Sequence, residues 1–593
     1  MKSLNLGILA HVDAGKTSLT ERLLYTAGVI DEIGSVDAGS TQTDSLQLER
    51  QRGITIKSAV ASFVFNDTKI NLIDTPGHPD FIAEVERVLS VLDGVVLVIS
   101  AVEGVQAQTR VLMRALQRLE IPTLIFVNKI DRRGAQYERV LTEIAEKLSL
   151  PVTPMGSMHE LGTSAADFTA FDTPNISPVQ SQAYPVFFGS AITGAGIGSL
   201  ITGITELLPA TEGNAAAPVS GSVFKIERGA KGEKIAYVSL TSGTIHVRKH
   251  LQFGQGKDGK VTVIDVFDHG KTIQRTSMAA GEIGKLRGLA DVKIGDAVGK
   301  MSTDSQRYFA PPTLETVVLS RNSADKGKLR VALDQLAEQD PLINVRQDDI
   351  RQEIYVSLYG EVQKQVIEAT LASDYGIHVN FLETTPICIE RPLGTGEAVE
   401  FLGKNDNPFL ATLGLRVDPA PVGSGLQLKL DARLESLPIY IYKSVPEFKE
   451  SLEQYVAHTL REGLSGWQVV DTLVTLTECG YEAPGSTAGD FRKLTPLVLM
   501  SALKQAGTIV CEPICRFELE IPANALSLVL SALGKLGTVP QTTTTRNTSY
   551  ILSGDIPSAQ VHELQQRLPA MTSGEGVLEY EFDRYEPVRR PKA

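Results

Sequence analysis

Residues 6–17 read Leu-Gly-Ile-Leu-Ala-His-Val-Asp-Ala-Gly-Lys-Thr. A short apolar run ends in a loop closed by Gly15, Lys16 and Thr17, the pattern of a loop that holds phosphate. Small residues let backbone N–H groups turn toward phosphate oxygens, and a following helix points its N-terminus at the same anion. Ala10, His11, Val12, Asp13, Ala14 and Gly15 are therefore candidates for contact with a nucleotide. In this chemistry Lys16 reaches the β- and γ-phosphates and the Thr17 hydroxyl is a Mg²⁺ ligand. Ala10 stands where the usual pattern has its first glycine. Alone, such a stretch also arises by chance at a helix start.

Three further segments bear on the same chemistry. Asp74, Thr75, Pro76, Gly77 and His78 follow an apolar run at 70–73. An aspartate at a strand end holds Mg²⁺ through water, and the Gly77 amide is placed to sense a γ-phosphate. Asn128, Lys129, Ile130 and Asp131 follow another apolar run at 122–127. This spacing has a guanine-specific logic. The Asp131 carboxylate can accept two hydrogen bonds from the N1 and N2 edge of guanine, which adenine cannot donate together. Ser190 and Ala191 follow a run at 186–188 and can place a backbone amide on the guanine O6. Four segments in this order, each at a strand end, point to GTP or GDP.

Holding these segments together requires strands alternating with helices. Residues 1 to about 210 have that pattern, with strands near 5–10, 61–65, 69–73, 95–100, 122–127 and 185–188. Amphipathic helices are expected near 16–27, 81–89, 109–119 and 136–147. The pattern predicts a doubly wound α/β sheet with nucleotide at the strand ends. Residues 150–184, rich in Pro, Ser and Thr and without a clear period, read as a surface insertion.

A linker by composition, 211–218, leads to an all-strand unit at 219–304 whose alternation is imperfect. Lys249, Lys257, Lys260 and Lys271 in this unit are either RNA-facing or ordinary solvated lysines. Residues 311–384 alternate helical stripes and strands in a split βαβ order, a ferredoxin-like pattern. Residues 385–506 form an α+β unit. Within it Ser444 and Pro446 signal a helix start, and Pro496 should start, kink or split a later helix. Residues 508–588 fit a second ferredoxin-like unit. The fold class is thus multidomain α/β and α+β.

At 593 residues the chain suits roughly four domains at about 150 residues each. A formal charge of −13 argues against broad polycationic binding, and no DNA partner is expected. Local basic patches, which decide a contact with nucleic acid, are not excluded by it. Cys388, Cys479, Cys511 and Cys515 lack paired zinc spacing and suit a reducing cytosol. The first strand begins almost at once, which leaves no room for a signal peptide, and no apolar run nears the roughly 18 residues of a membrane helix. A cytoplasmic protein without membrane contact is expected.

The stretch from Leu48 through Glu49, Arg50, Gln51, Arg52, Gly53, Ile54, Thr55 and Ile56 resembles the translational GTPases. The resemblance implies that Thr55 ligands Mg²⁺ and contacts the γ-phosphate. It implies that His78 orients the attacking water when the ribosome triggers hydrolysis; the alternative for His78 is a solvated histidine. The run 280–296 resembles the closing strands of the β-barrel second domain of translation factors, and 572–588 the final strand of elongation factor G. The domain order is similar to elongation factor G throughout. Within that group the chain resembles the tetracycline-resistance ribosomal protection proteins. The matching residues are 3–17, Ser35-Val36-Asp37, 105–110, Gly466-Trp467, 486–492 and 552–557.

The resemblance implies GTP-dependent binding to a drug-stalled bacterial ribosome through its RNA and proteins, displacement of tetracycline, and release after hydrolysis. It further implies GTP and Mg²⁺ as cofactors and a monomer off the ribosome. The turn of Tyr481, Glu482, Ala483, Pro484, Gly485 and Ser486 would lie at the tip of the fourth domain, in the decoding site. Tyr481 and Pro484 offer flat or rigid apolar surfaces there, and residues 421–425 are expected as a neighbouring finger of the same tip. An ordinary surface turn is the alternative. Two other functions share the same GTP machinery: an elongation factor that drives translocation, and a ribosome-binding regulator whose GTPase is only a timer.

Overall fold

A computed structural model describes residues 2–34, 49, 55–78, 81–171, 183–229, 232–254, 256–299, 312, 314–340, 343–348, 353–358, 361–404, 407–546 and 549–588. Ser35-Val36-Asp37, Leu48 and residues 50–54, named above for their resemblance, lie outside the described residues.

The first sheet runs through β1 (Lys2–Ala10), β2 (Ala59–Phe65), β3 (Thr68–Asp74), β4 (Gly94–Ser100), β5 (Thr123–Asn128), β6 (Val152–Pro154) and β9 (Tyr184–Phe188), in the order β2-β3-β1-β4-β5-β9-β6. A hairpin of β7 (Gly156–His159) and β8 (Asp167–Ala170) stands beside it. Helices α1 (Lys16–Thr26), α2 (Ile82–Leu89), α3 (Ala107–Arg118), α4 (Tyr137–Lys147) and α5 (Ile197–Leu207) alternate with the strands. Every residue of β4 and β5 is buried, as strands of a parallel sheet covered on both faces must be. The phosphate loop, Asp74, Asn128 and Ser190 all follow the C-terminal ends of parallel strands, so the pairing β3-β1-β4-β5-β9 gathers them at one edge.

The insertion at 150–184 departs from the expected surface segment. Its strand β6 joins the main sheet beside β9, and Met155, Ala166 and Phe168 are buried in the same core. Three residues are too few for a hydrophobic period to show. Residues 172–182 lie outside the described residues.

The second unit is an eight-stranded antiparallel sheet around one core. Its alternation reads imperfectly because the strand Ser220–Arg228 carries a register shift between Val223 and Lys225. A bulge re-aims side chains. Val223 and Ile226 enter the sheet's own core, while Phe224 packs with Ile73, Val88 and Val91 of the first unit. Lys257 donates to the Asp291 carbonyl, while Lys249, Lys260 and Lys271 are exposed.

The third unit sets helices Lys326–Gln339 and Glu361–Tyr375 against a five-stranded sheet. In the fourth, helices Val445–Thr459 and Ala488–Ala506 pack on strands ordered Gly396–Glu400, Ala411–Pro419, Thr472–Tyr481, Leu426–Leu430. Ser444 caps its helix by accepting from Glu447 N at 3.3 Å. Pro496 neither starts nor splits its helix. A capping box of Thr487 and Asp490 starts it, and the buried stripe Phe491, Leu494, Val498, Leu499 and Ala502 holds it through the proline. The last sheet is built on the long strand Thr508–Pro522, which also recruits Ile389–Pro392, residues expected in the fourth unit. Among the described residues no helix is long and apolar enough to cross a membrane. All four cysteines are free and buried.

Candidate nucleotide site and tip

Gly15 closes the phosphate loop with φ +87, a backbone that favours glycine, and a Cβ there would collide with the Asn128 side-chain amide. The first turn of α1 then presents Lys16 and Thr17. Lys16 Nζ forms an ion pair with Asp74 and donates to Thr55 Oγ1 at 3.0 Å. Thr17 Oγ1 and Thr55 Oγ1 are 3.2 Å apart. All four side chains are buried. Two hydroxyls and a carboxylate are the hard oxygen donors that Mg²⁺ prefers, so this cluster fits the metal.

Ala10 is fully buried and pairs with Val98 on β4, so the methyl that replaces the usual glycine is accommodated in the core. Gly77 passes so near that a Cβ on it would lie 2.9 Å from the Ala10 carbonyl, which ties the Asp74–His78 loop to the phosphate loop. Thr75 donates to the Ile8 carbonyl at 3.0 Å, and Pro76 is buried. His78 is half-buried, its ring centroid 6.0 Å from that of Phe81. Val12 and Asp13 are exposed, and Ala14 is buried.

His11 turns away from the loop. Its side chain is 6% exposed, and Nδ1 lies 3.0 Å from Thr109 Oγ1 on α3. Burial pushes its imidazole down to about 4, with smaller opposed effects from Glu103, Lys129 and Asp13. It is therefore neutral near pH 7.

Asn128 joins the base-reading segments. Its Nδ2 donates to the Ala14 carbonyl and its Oδ1 accepts from the Ala191 amide, each at 2.9 Å. The amide expected on guanine O6 is thus directed to Asn128. Ser190 is buried and its hydroxyl accepts from Ile192 N and Thr193 N, which shapes the turn. Lys129 reaches Glu103 at 3.1 Å. Asp131 Oδ1 is buried without a hydrogen-bond partner. A buried acceptor of this kind is costly unless something donates to it, and the N1 and N2 edge of guanine carries donors of the required kind.

At the far end of the fourth unit, Glu482, Ala483, Pro484 and Gly485 are exposed. Ser486, expected among the contact residues, is instead only 4% exposed. Its hydroxyl donates to the Leu410 carbonyl and accepts from Glu482 N, so it holds the turn together. Tyr481 is half-buried under Tyr440, with ring centroids 5.3 Å apart, and Tyr440 Oη donates to the Ser486 carbonyl. Tyr440, Leu410 and Phe401 add exposed apolar surface; Tyr440 lies in a four-residue helix, too short to show a period. Residues 421–425 are not a neighbouring finger. The amides of Gly423 and Gly425 bond Asp471 Oδ1, beside Thr472 at the opposite end of the strand Thr472–Tyr481. That strand separates the two loops by roughly 30 Å. The cause is a parallel pairing, Leu426 with Thr472, that no local signal reveals.

Four family models match the chain: the Elongation factor Tu GTP binding domain over residues 1–210, Elongation Factor G domain III over 309–383, Elongation factor G domain IV over 399–507, and the Elongation factor G C-terminus over 509–593. The chain is 46% identical to an oxytetracycline resistance protein of Streptomyces rimosus, covering 99% of this chain and 96% of the relative. It is 43% identical to the tetracycline resistance protein TetM of Streptomyces lividans, covering 97% and 96%. To TetP of Clostridium perfringens it is 39% identical, covering 98% and 94%. A solved structure of a protein from Thermus thermophilus shares the fold, with a TM-score of 0.65 at 21% identity over 99% of this chain and 97% of that one.

Proposed function

The chain belongs to the tetracycline resistance proteins, translational GTPases built like elongation factor G, and from that premise we propose that it binds tetracycline-stalled bacterial ribosomes and dislodges the drug. It binds guanine nucleotide and hydrolyses GTP to GDP and phosphate. The observation that carries the proposal is the likeness to relatives named for tetracycline resistance along nearly the whole chain.

In this reading Asp131 accepts from the guanine edge, and Asn128 holds the base-reading turn against the phosphate loop. Lys16 stabilises charge on the β- and γ-phosphates, and Thr55 contacts the γ-phosphate. The Thr17 and Thr55 hydroxyls and the Asp74 carboxylate would hold Mg²⁺, which would supply further neutralisation of phosphate charge. His78 orients the attacking water once the ribosome positions it. The exposed turn Glu482–Gly485, with Tyr481 and Pro484, enters the drug's site on ribosomal RNA, where a stacked aromatic is worth about 1–3 kcal/mol. The protein acts in the cytoplasm and is monomeric off the ribosome.

Expression in a tetracycline-sensitive bacterium, and separately in a strain with a failing translocase, tests the proposal. Growth in the drug without rescue of the translocase defect is the expected result. Rescue of translocation without drug tolerance would make the chain an elongation factor. Neither effect would leave a regulatory GTPase.

A further inference from the structure

The chain that leads away from Thr55 is held from outside its own domain. Three residues on, the Ser58 carbonyl accepts from Lys225 Nζ at 2.7 Å, across the boundary from the second unit. Lys225 is 7% exposed, lies 2.7 Å from Glu227 Oε1, and stands 5.0 Å from the Tyr237 ring centroid. Tyr237 in turn donates to Glu227 Oε2 at 2.7 Å. The bulge between Val223 and Lys225 leaves both Phe224 and Lys225 in contact with the nucleotide domain.

The Ser58 hydroxyl makes a second tie, donating to Glu84 Oε2 at 3.1 Å on α2, the helix just after His78. Glu84 pairs with Arg87 at 2.7 Å, and Arg87 pairs with Asp340 of the third unit. Between Thr55 and Ser58, the amides of Ile56 and Lys57 both donate to Glu49 Oε1, at 2.9 and 3.0 Å. Residues 56–58 therefore have their backbone held at successive positions, and Ser58 joins the second unit to α2, which Arg87 in turn ties to the third.

We propose that Lys225 and Ser58 are positioning residues for GTP hydrolysis, setting the Thr55 hydroxyl against Lys16 and Thr17 by anchoring the chain three residues beyond it. The proposal rests on the reading of Thr55 as the residue that contacts the γ-phosphate and Mg²⁺. A displaced Thr55 weakens only what the γ-phosphate adds, so GTP and GDP should respond differently. The second unit then acts on the site at a distance, through the ammonium that holds the Ser58 carbonyl.

The test compares Ser58→Ala, Lys225→Met and the charge-balanced pair Lys225→Met with Glu227→Gln in the full chain, beside Thr55→Ala. The pair guards against misfolding, because Lys225→Met alone leaves the Glu227 carboxylate without its cation. GTP and GDP affinities, single-turnover GTP hydrolysis and thermal melting are measured. The expected result is GTP affinity and hydrolysis each lower by about tenfold, with GDP affinity within about twofold of wild type. Equal loss for both nucleotides, or none in the paired variant and Ser58→Ala, would overturn the proposal. If Thr55→Ala itself leaves GTP and GDP unseparated, the reading of Thr55 fails and the positioning role falls with it.

Discussion

Asn128 donates a hydrogen bond from its side-chain amide to the carbonyl of Ala14 at 2.9 Å. The residue belongs to the segment 128–131 and the carbonyl to the loop that opens α1, so two segments of the candidate site meet in one contact. Gly15 is what permits the approach, since any Cβ at that position would occupy the space of the Asn128 amide.

The buried, unpartnered Asp131 Oδ1 makes a prediction about nucleotide choice. Asp131→Asn replaces an acceptor by a donor facing the guanine edge. GTP affinity should fall by about 1.5–3 kcal/mol, and xanthine nucleotide should become the better ligand. Competitive titration with a fluorescent nucleotide reads this. Equal affinity of the unmutated protein for GTP and ATP would sink the assignment.

His78 sits after Gly77, which is pinned to the phosphate loop at Ala10. His78→Ala should leave GTP binding nearly intact and slow ribosome-stimulated hydrolysis by roughly 10²–10⁴-fold. The variant should stay on the ribosome, seen as co-sedimentation with GTP. Unchanged stimulated turnover would remove His78 from the mechanism.

The buried His11 gives a pH prediction. Its imidazole is held at about 4 by burial, below its ordinary 6.5. Between those values the unfolded chain takes up a proton that the native chain refuses. The contribution is therefore complete above pH 6.5 and is lost as pH falls toward 4. The gap corresponds to about 3 kcal/mol. His11→Gln should flatten the fall in melting temperature between pH 7 and 5. An identical slope in the variant would show that His11 does not titrate this way.

The exposed turn Glu482–Gly485 hangs on Ser486 and Tyr440, far from the nucleotide in the chain and in another unit. Removing Ala483, Pro484 and Gly485 should abolish drug tolerance in cells while nucleotide affinity stays within about twofold of wild type. Full tolerance in the deletion variant would rule out the turn as the element that reaches the drug.

The four segments that the first sheet gathers at one edge were legible in the sequence because each is a short apolar strand followed by polar residues of specific chemistry: Lys16, Asp74, Asn128, Asp131. Other features left no local trace. Val152–Pro154 is too short to display a period, and its place in the sheet comes from Tyr184–Phe188 far along the chain. The bulge at Lys225 breaks the alternation that would have marked its face. The position of residues 421–425 follows from a parallel pairing with Thr472. Ser486 reads as a polar turn residue, and only its bond to the Leu410 carbonyl shows that it faces inward. What the sequence withheld is, in each case, a contact between segments far apart in the chain.

The central claim is GTP-dependent displacement of tetracycline from the ribosome. Its most direct test loads purified bacterial ribosomes with radiolabelled tetracycline, adds the full chain with GTP, and follows drug retained on a filter. The expected result is loss of bound drug that requires both protein and GTP, with no loss when GDP replaces GTP. Drug retained undiminished, while the same preparation hydrolyses GTP on those ribosomes, would contradict it.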